Sequence, residues 1–243
     1  MSGLQGRDRL IVALDLPSAD EALQLVGRLA SEVSFFKIGW QLFLTGELRR
    51  LLDELRGRQV FLDLKVPGDI ESTIRSVVES CVRGGVRFLT LSDSMPPAAI
   101  ASARSARGTG KHPEFLMVPA LSSQDASDLR SAAPNADVDG YIAQRASAAL
   151  AAGCDGLIAS GSAIRVVRQR HPAVPIVSPG IRPAGAATHD HKRHATPAEA
   201  IRMGADYLVV GRPIRDAPDP LAAARRIIVE IDRELQGQGP SVR

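Results

Sequence analysis

Only two cysteines occur in the 243 residues, Cys81 and Cys154, and both stand inside apolar stretches rather than in metal-ligand spacing. That excludes a disulfide-built scaffold, offers no zinc site, and points to a reducing compartment with two buried thiols. Lysine is almost as scarce: Lys37, Lys65, Lys111 and Lys192 are the only four, against twenty-six arginines. An arginine keeps its proton near neutrality, whereas a lysine ammonium can release one when its surroundings tune it. The few lysines are therefore candidates for proton transfer. No apolar run approaches the ~20 residues of a membrane span, and residues 1–8 are polar, so the chain reads as soluble and cytoplasmic, with no membrane partner. A basic block is missing as well. The net charge is only +3 and the isoelectric point about 9.2, which suits a small anionic ligand better than nucleic acid.

The composition, 44% hydrophobic and 23% charged, is globular and too apolar for disorder, and it excludes collagen-like and mucin-like chains. A length near 250 fits one α/β barrel or two small domains. Short β-rich runs at 10–15, 35–39, 60–65, 86–92, 115–120, 155–160, 175–178 and 207–211 alternate with helical patterns at 18–30, 41–56, 70–83, 138–152, 163–170 and 220–235. Strands that read as continuous apolar runs are buried on both faces, and repeated βα units without a long linker imply a parallel sheet. Eight such units predict a single-domain (β/α)8 TIM barrel over residues 1–243. The alternative is an open doubly wound sheet, but no Gly-x-Gly-x-x-Gly follows the first strand, where a dinucleotide fold needs it. Residues 182–195, with Gly, Thr, Asp and the three histidines His189, His191 and His194, read as a loop that moves over a site.

In a barrel the chemistry sits where the strands end. The first strand ends at Asp15, the second carries Lys37, the third carries Asp63 and Lys65, and the fourth ends at Ser92 and Asp93. The fifth leads to Ser122 and Ser123, the seventh runs into Ser178, Pro179, Gly180 and Ile181, and the eighth ends at Gly211 and Arg212. Asp63 and Lys65, two apart, project to the same side of their strand. With Asp69 just beyond and Lys37 on the neighbouring strand, alternating charges hold one another ionised. A buried ion-pair network without chemistry is one reading of this array. The other is decarboxylation: fixed negative charges repel a substrate carboxylate, and Lys65 supplies a proton to the carbon left behind. At the eighth strand, Gly211 lets backbone approach a phosphate and Arg212 completes the site, a plain turn being the alternative. The three histidines lack a carboxylate constellation, so no metal ligation is assigned to them.

These residues resemble the orotidine 5′-monophosphate decarboxylase family. The matching pieces are Val12-Ala13-Leu14-Asp15, Phe36-Lys37-Ile38-Gly39, Phe61-Leu62-Asp63-Leu64-Lys65 with Asp69-Ile70, Leu121-Ser122-Ser123, Ser178-Pro179-Gly180-Ile181-Arg182-Pro183, and the run from Gly204 to Pro213. The resemblance implies a lyase that uses no cofactor and no metal and works as a homodimer with its sites at the subunit interface. Its substrate would be a nucleotide monophosphate of pyrimidine biosynthesis. It implies Lys65 as the proton donor to carbon 6, Asp63 as the carboxylate beside the leaving group, and Lys37 as the residue that orients Asp63 and touches the ribose. Asp69, Ile70 and Thr73 would belong to the stretch lent to the neighbouring subunit. Asp15 would bind ribose, Ser123 the base, and Gly211 with Arg212 the phosphate, with Pro179 and His191 also at the substrate. There are three departures. Three residues, Val66, Pro67 and Gly68, separate Lys65 from Asp69 where the family has two. His191 stands in place of the family's phosphate-contacting glutamine, and Ser92 where many members have histidine. A magnesium-dependent sugar-phosphate enzyme and a non-catalytic phosphate-binding barrel remain the rival readings.

Overall fold

The computed structural model describes residues 4–68, 70–120, 137–184 and 194–237. Eight parallel strands close into a barrel in sequence order: β1 (Leu10–Ala13), β2 (Phe35–Gly39), β3 (Gln59–Val66), β4 (Phe88–Leu91), β5 (Glu114–Met117), β6 (Gly156–Ile158), β7 (Ile176–Ser178) and β8 (Tyr207–Val210). β8 pairs with β1 through Leu10 against Leu208 and Val12 against Val210. All eight expected strands are present, and the closed barrel replaces the open-sheet alternative. Among the described residues no helix is long and apolar enough to cross a membrane.

Alternation along each strand divides the core into two shells. One set, including Leu10, Val12, Phe36, Leu62, Leu64, Leu89 and Leu208, packs outward under the helices. The other, Ile11, Ala13, Phe35, Phe61, Phe88, Leu116, Val118, Ile158, Val177, Tyr207 and Val209, fills the barrel. The outer shell is covered by α1 (Gly6–Arg9), α2 (Ala19–Leu29), α3 (Trp40–Phe43), α4 (Leu48–Glu54), α5 (Glu71–Arg83), α6 (Pro97–Arg107), α7 (Val138–Ala152), α8 (Ala163–Arg170), α9 (Pro197–Met203), α10 (Arg212–Arg215) and α11 (Pro220–Gly237). The helix expected over 41–56 is two, α3 and α4. The chain breaks where Gly46 takes φ +79, a left-handed conformation that costs glycine little. Helices α6 and α9 are additional to those the periodicity picked out. Two αβ junctions share one construction: Asp155 accepts from Phe115 N–H and pairs with Arg107, and Asp206 accepts from Ile176 N–H and pairs with Arg168.

The floor of the barrel is aromatic. Phe88 lies 5.2 Å from Phe35, 5.3 Å from Tyr207 and 5.9 Å from Phe61, centroid to centroid. Arg87 closes it from below, with its guanidinium 5.0 to 5.2 Å from the rings of Phe35, Phe88 and Tyr207. The same group donates to the Tyr207 hydroxyl at 2.6 Å and to Gln59, and lies 3.7 Å from Glu114. Burial pushes the Glu114 carboxyl up, partly countered by Arg87 and then His112. Replacing Arg87 by Met should lower stability by roughly 2–4 kcal/mol, because ring contacts and two hydrogen bonds are lost and Glu114 keeps its burial without its nearest cation. Urea unfolding checks this, the expected result being a lower midpoint with an unchanged slope.

Candidate active site

Above the aromatic floor the barrel opens into a cavity of about 460 Å3, within the range that small-molecule sites occupy. The alternation that places Phe35, Phe61 and Phe88 in the floor puts Lys37 and Asp63 two residues higher, in the cavity wall, and Thr90 at the same level but buried. Asp15, Lys37, Asp63 and Lys65 line one side of the cavity, and Pro179, Gly180, Arg182, Gly211, Arg212 and Arg215 the other.

The first side is a chain of alternating charges. Asp15 Oδ1 lies 2.9 Å from Lys37 Nζ, Lys37 Nζ lies 3.8 Å from Asp63 Oδ2, and Asp63 Oδ1 accepts from Lys65 Nζ at 2.9 Å. Burial raises the Asp63 carboxyl. The charges of Lys37 and Lys65, with hydrogen bonds from Lys65 and Thr90, outweigh it and hold the group below its ordinary value. Two of the four lysines thus meet at one carboxylate, as the strand-end reading expects. Lys65 is also held in a left-handed conformation, φ +47.

The second side is cationic. Arg182 is buried, donates to the Ile181 carbonyl at 2.7 Å, and follows Gly180, whose φ of +74 needs glycine. Arg215 reaches across to the Asp15 carbonyl at 2.6 Å. At Gly211, φ −107 demands no glycine, and an added Cβ would meet only Ala13 Cβ at 3.6 Å. The bare backbone there faces open space rather than a packed neighbour.

Of the expected site residues, Asp15, Lys37, Asp63, Lys65, Pro179, Gly211 and Arg212 line this cavity. Thr73, on the first turn of α5, is exposed and is not among the lining residues, and Ile70 beside it is 56% exposed. Asp69, Ser123 and His191 lie outside the described residues, as does most of the loop expected over the site. Among the described residues no group of His, Cys, Asp and Glu gathers as a metal site. Among the lining residues that sequence reasoning gave no site role are Arg182, Val118, Ser160 and Arg215. Arg182 entered only as part of a motif, although it stands four residues past the end of the seventh strand. Val118 and Ser160 are the next interior positions after Leu116 and Ile158, and Arg215 lies one helical turn beyond Gly211.

The residues from 8 to 227 match the model of the Orotidine 5′-phosphate decarboxylase / HUMPS family. Orotidine 5′-phosphate decarboxylase of Afipia carboxidovorans is 45% identical over 227 residues, covering 93% of this chain and 95% of the relative. The same-named protein of Methylobacterium sp. (strain 4-46) is 46% identical over 233 residues, covering 94% and 97%. The crystal structure of orotidine 5′-phosphate decarboxylase from Lactobacillus acidophilus superposes with a TM-score of 0.76 at 28% identity, over 92% of this chain and 98% of that one. A closed barrel with a carboxylate held between two lysines, matched over nearly its whole length, places this chain in the Orotidine 5′-phosphate decarboxylase / HUMPS family.

Proposed function

We propose that this chain decarboxylates orotidine 5′-monophosphate to uridine 5′-monophosphate, acting over its length as one domain in pyrimidine nucleotide biosynthesis. The observation that carries the reading is the Asp15, Lys37, Asp63 and Lys65 array facing three arginines across one cavity. A nucleotide monophosphate has the matching polarity: a phosphate for Arg182, Arg212 and Arg215 near Gly211, and a carboxylated base for the array. The Asp63 carboxylate, held ionised, disfavours the bound carboxylate and favours its loss as neutral CO2. As the bond from carbon 6 to the carboxyl carbon breaks, its electron pair stays on carbon 6 and takes a proton from Lys65 Nζ. The amine then regains a proton from water. No cofactor or metal enters the scheme. Lys37, between Asp15 and Asp63, fixes both carboxylates and faces the ribose, Pro179 packs at the substrate, and Ser123 and His191 read the base and phosphate from outside the described segments. The reading further places the protein in the cytoplasm as a homodimer in which Asp69 and Thr73 serve the neighbouring site. The exposure of Thr73 and Ile70, turned out of their own cavity, supports it.

Turnover of orotidine monophosphate with and without a chelator is the direct test. Activity rules out the non-catalytic barrel, and indifference to the chelator rules out the magnesium-dependent sugar-phosphate enzyme. Lys65→Ala should fold, bind product and lose about 10²–10⁴-fold in turnover, the range of general-acid contributions. Lys65→Arg should fail too, since guanidinium holds its proton too strongly. Arg212→Ala should weaken binding of nucleoside monophosphate about 10–100-fold while leaving nucleoside binding nearly unchanged, because a hydrogen bond to a charged group is worth about 1.5–3 kcal/mol. Equal losses for both ligands would refute the phosphate site.

Asp63 also fixes the sign of a pH effect. Its folded-state value is lowered, so its contribution to stability is complete above the unfolded value, about 3.9, and fades as the pH falls through the folded one. An acid limb in the activity profile above about pH 4 would have to come from another group. Mixing Asp69→Ala with Lys65→Ala subunits tests the shared site. Random reassortment makes about half the dimers mixed and about a quarter of all sites intact if Asp69 crosses between subunits. Activity stays at the mutant level if it does not.

A further inference from the structure

Between β3 and β4 the pairing slips. Leu62 stands opposite Leu89 and Val66 opposite Leu91, so residues 63–65 face the single residue Thr90. Such a bulge removes the regular ladder partner of the residues inside it. Here the backbone N–H of Lys65 donates not to a carbonyl but to Thr90 Oγ1, at 2.8 Å. The Thr90 hydroxyl in turn donates to Asp63 Oδ1 at 3.0 Å, the same oxygen that accepts from Lys65 Nζ at 2.9 Å. Thr90 is fully buried, at a position whose interior neighbour two residues earlier is Phe88. Its one proton and one of its two lone pairs are committed to the two residues that face the cavity.

The bulge also carries the strain. Lys65 is the one non-glycine residue with positive φ among those described, a conformation that persists only where its surroundings impose it. The hydrogen bond to its N–H is what Thr90 supplies.

We propose that Thr90 is a positioning residue for the reaction: by clamping the Lys65 backbone and the Asp63 carboxylate with one hydroxyl, it delivers ammonium and carboxylate to the cavity as a single rigid pair. This rests on the decarboxylase reading of the same cavity. A hydroxyl used in this way has consequences a filler side chain lacks. Its removal leaves a buried N–H without a partner, releases Lys65 from the left-handed turn, and withdraws one of the donors that keep Asp63 ionised.

The test compares Thr90→Val, which keeps the shape, with Thr90→Ser, which keeps the hydroxyl. Thr90→Val should lose about 10–100-fold in kcat with little change in KM, since uniform binding is untouched and only the geometry of proton delivery is damaged. Thr90→Ser should stay within about threefold of wild type, a few tenths of a decade in rate. Carbon-13 NMR titration of the Asp63 carboxyl, which needs no substrate, should show an upward shift in Thr90→Val and none in Thr90→Ser. Equal damage in both variants, or a Thr90→Val enzyme with wild-type kcat, would overturn the proposal. If wild type fails to turn over orotidine monophosphate, the decarboxylase reading falls by itself. The carboxyl titration then still decides whether Thr90 sets the state of Asp63, and an unmoved Asp63 in Thr90→Val overturns that as well. Should Thr90→Val not fold, Thr90→Ala and Thr90→Cys, both lacking the hydroxyl, replace it under the same criteria.

Discussion

A carboxylate suspended between two ammonium groups, Lys37 at 3.8 Å and Lys65 at 2.9 Å from Asp63, is the constraint around which the mouth of this barrel is arranged. A single buried charge would be neutralised or expelled. Alternation solves the problem for every member at once, and it extends to Asp15, which holds the far side of Lys37. The requirement reaches into residues with no charge. A Cβ at Gly39 would sit 3.1 Å from Asp15 Oδ1 and 3.3 Å from Lys37 Nζ, so a bare backbone at the end of β2 is what leaves room for that pair. Thr90 meets the same requirement from β4.

The barrel separates stability from chemistry along its axis. Its lower half is filled by Phe35, Phe61, Phe88 and Tyr207 and sealed by Arg87, an aromatic plug whose upper edge, at Phe61, forms part of the cavity wall. The upper half holds ionised groups that would destabilise a core. Charges tolerate that position because one face opens to solvent and because each has an opposite charge within reach. Substrate entering such a mouth replaces water around groups already set in place, which is how preorganised electrostatics lower a barrier without reorganising at the moment of reaction. The arginines on the other side, Arg182, Arg212 and Arg215, make the cavity polar end to end, with carboxylates confined to the side of β1 to β3.

How much of this is legible in the sequence depends on the length scale of the signal. Strands buried on both faces announce themselves as short apolar runs, and all eight are where that pattern puts them. Helix α6, Pro97-Ala-Ala-Ile-Ala-Ser-Ala-Arg-Ser-Ala-Arg107, is built mainly from alanine, serine and arginine with Ile100 its one large apolar residue, so it offers little to be read as a helix face. The division between α3 and α4 depends on one glycine turn at Gly46 inside an otherwise continuous helical pattern. The meeting of Lys37, Asp63 and Lys65 is legible because strand ends in a barrel converge. The bulge that shapes Asp63 and Lys65 is not, because Asp-Leu-Lys-Val reads as perfect alternation. Only the register between β3 and β4 reveals the slip. Arg182 escapes for a related reason: it lies past the end of β7, where the chain's direction is set by a turn and not by a repeating pattern.

The same bulge bears on how the chain leaves β3. Beyond Val66, whose carbonyl accepts from Ser92 N–H at 3.0 Å, the chain passes through Pro67 to the buried Gly68. A Cβ there would lie 2.7 Å from Met95 and 3.0 Å from Ala99. Glycine is thus the residue that lets the chain press against the β4 loop and the first turn of α6. Gly68 packs on the outside of the barrel, against Met95 and Ala99, while Asp63 and Lys65 are fixed from the inside by Thr90. Because Gly68 packs on the outside of the barrel and Thr90 holds Asp63 and Lys65 from within, the chain leaving β3 is anchored independently of the pair that faces the cavity.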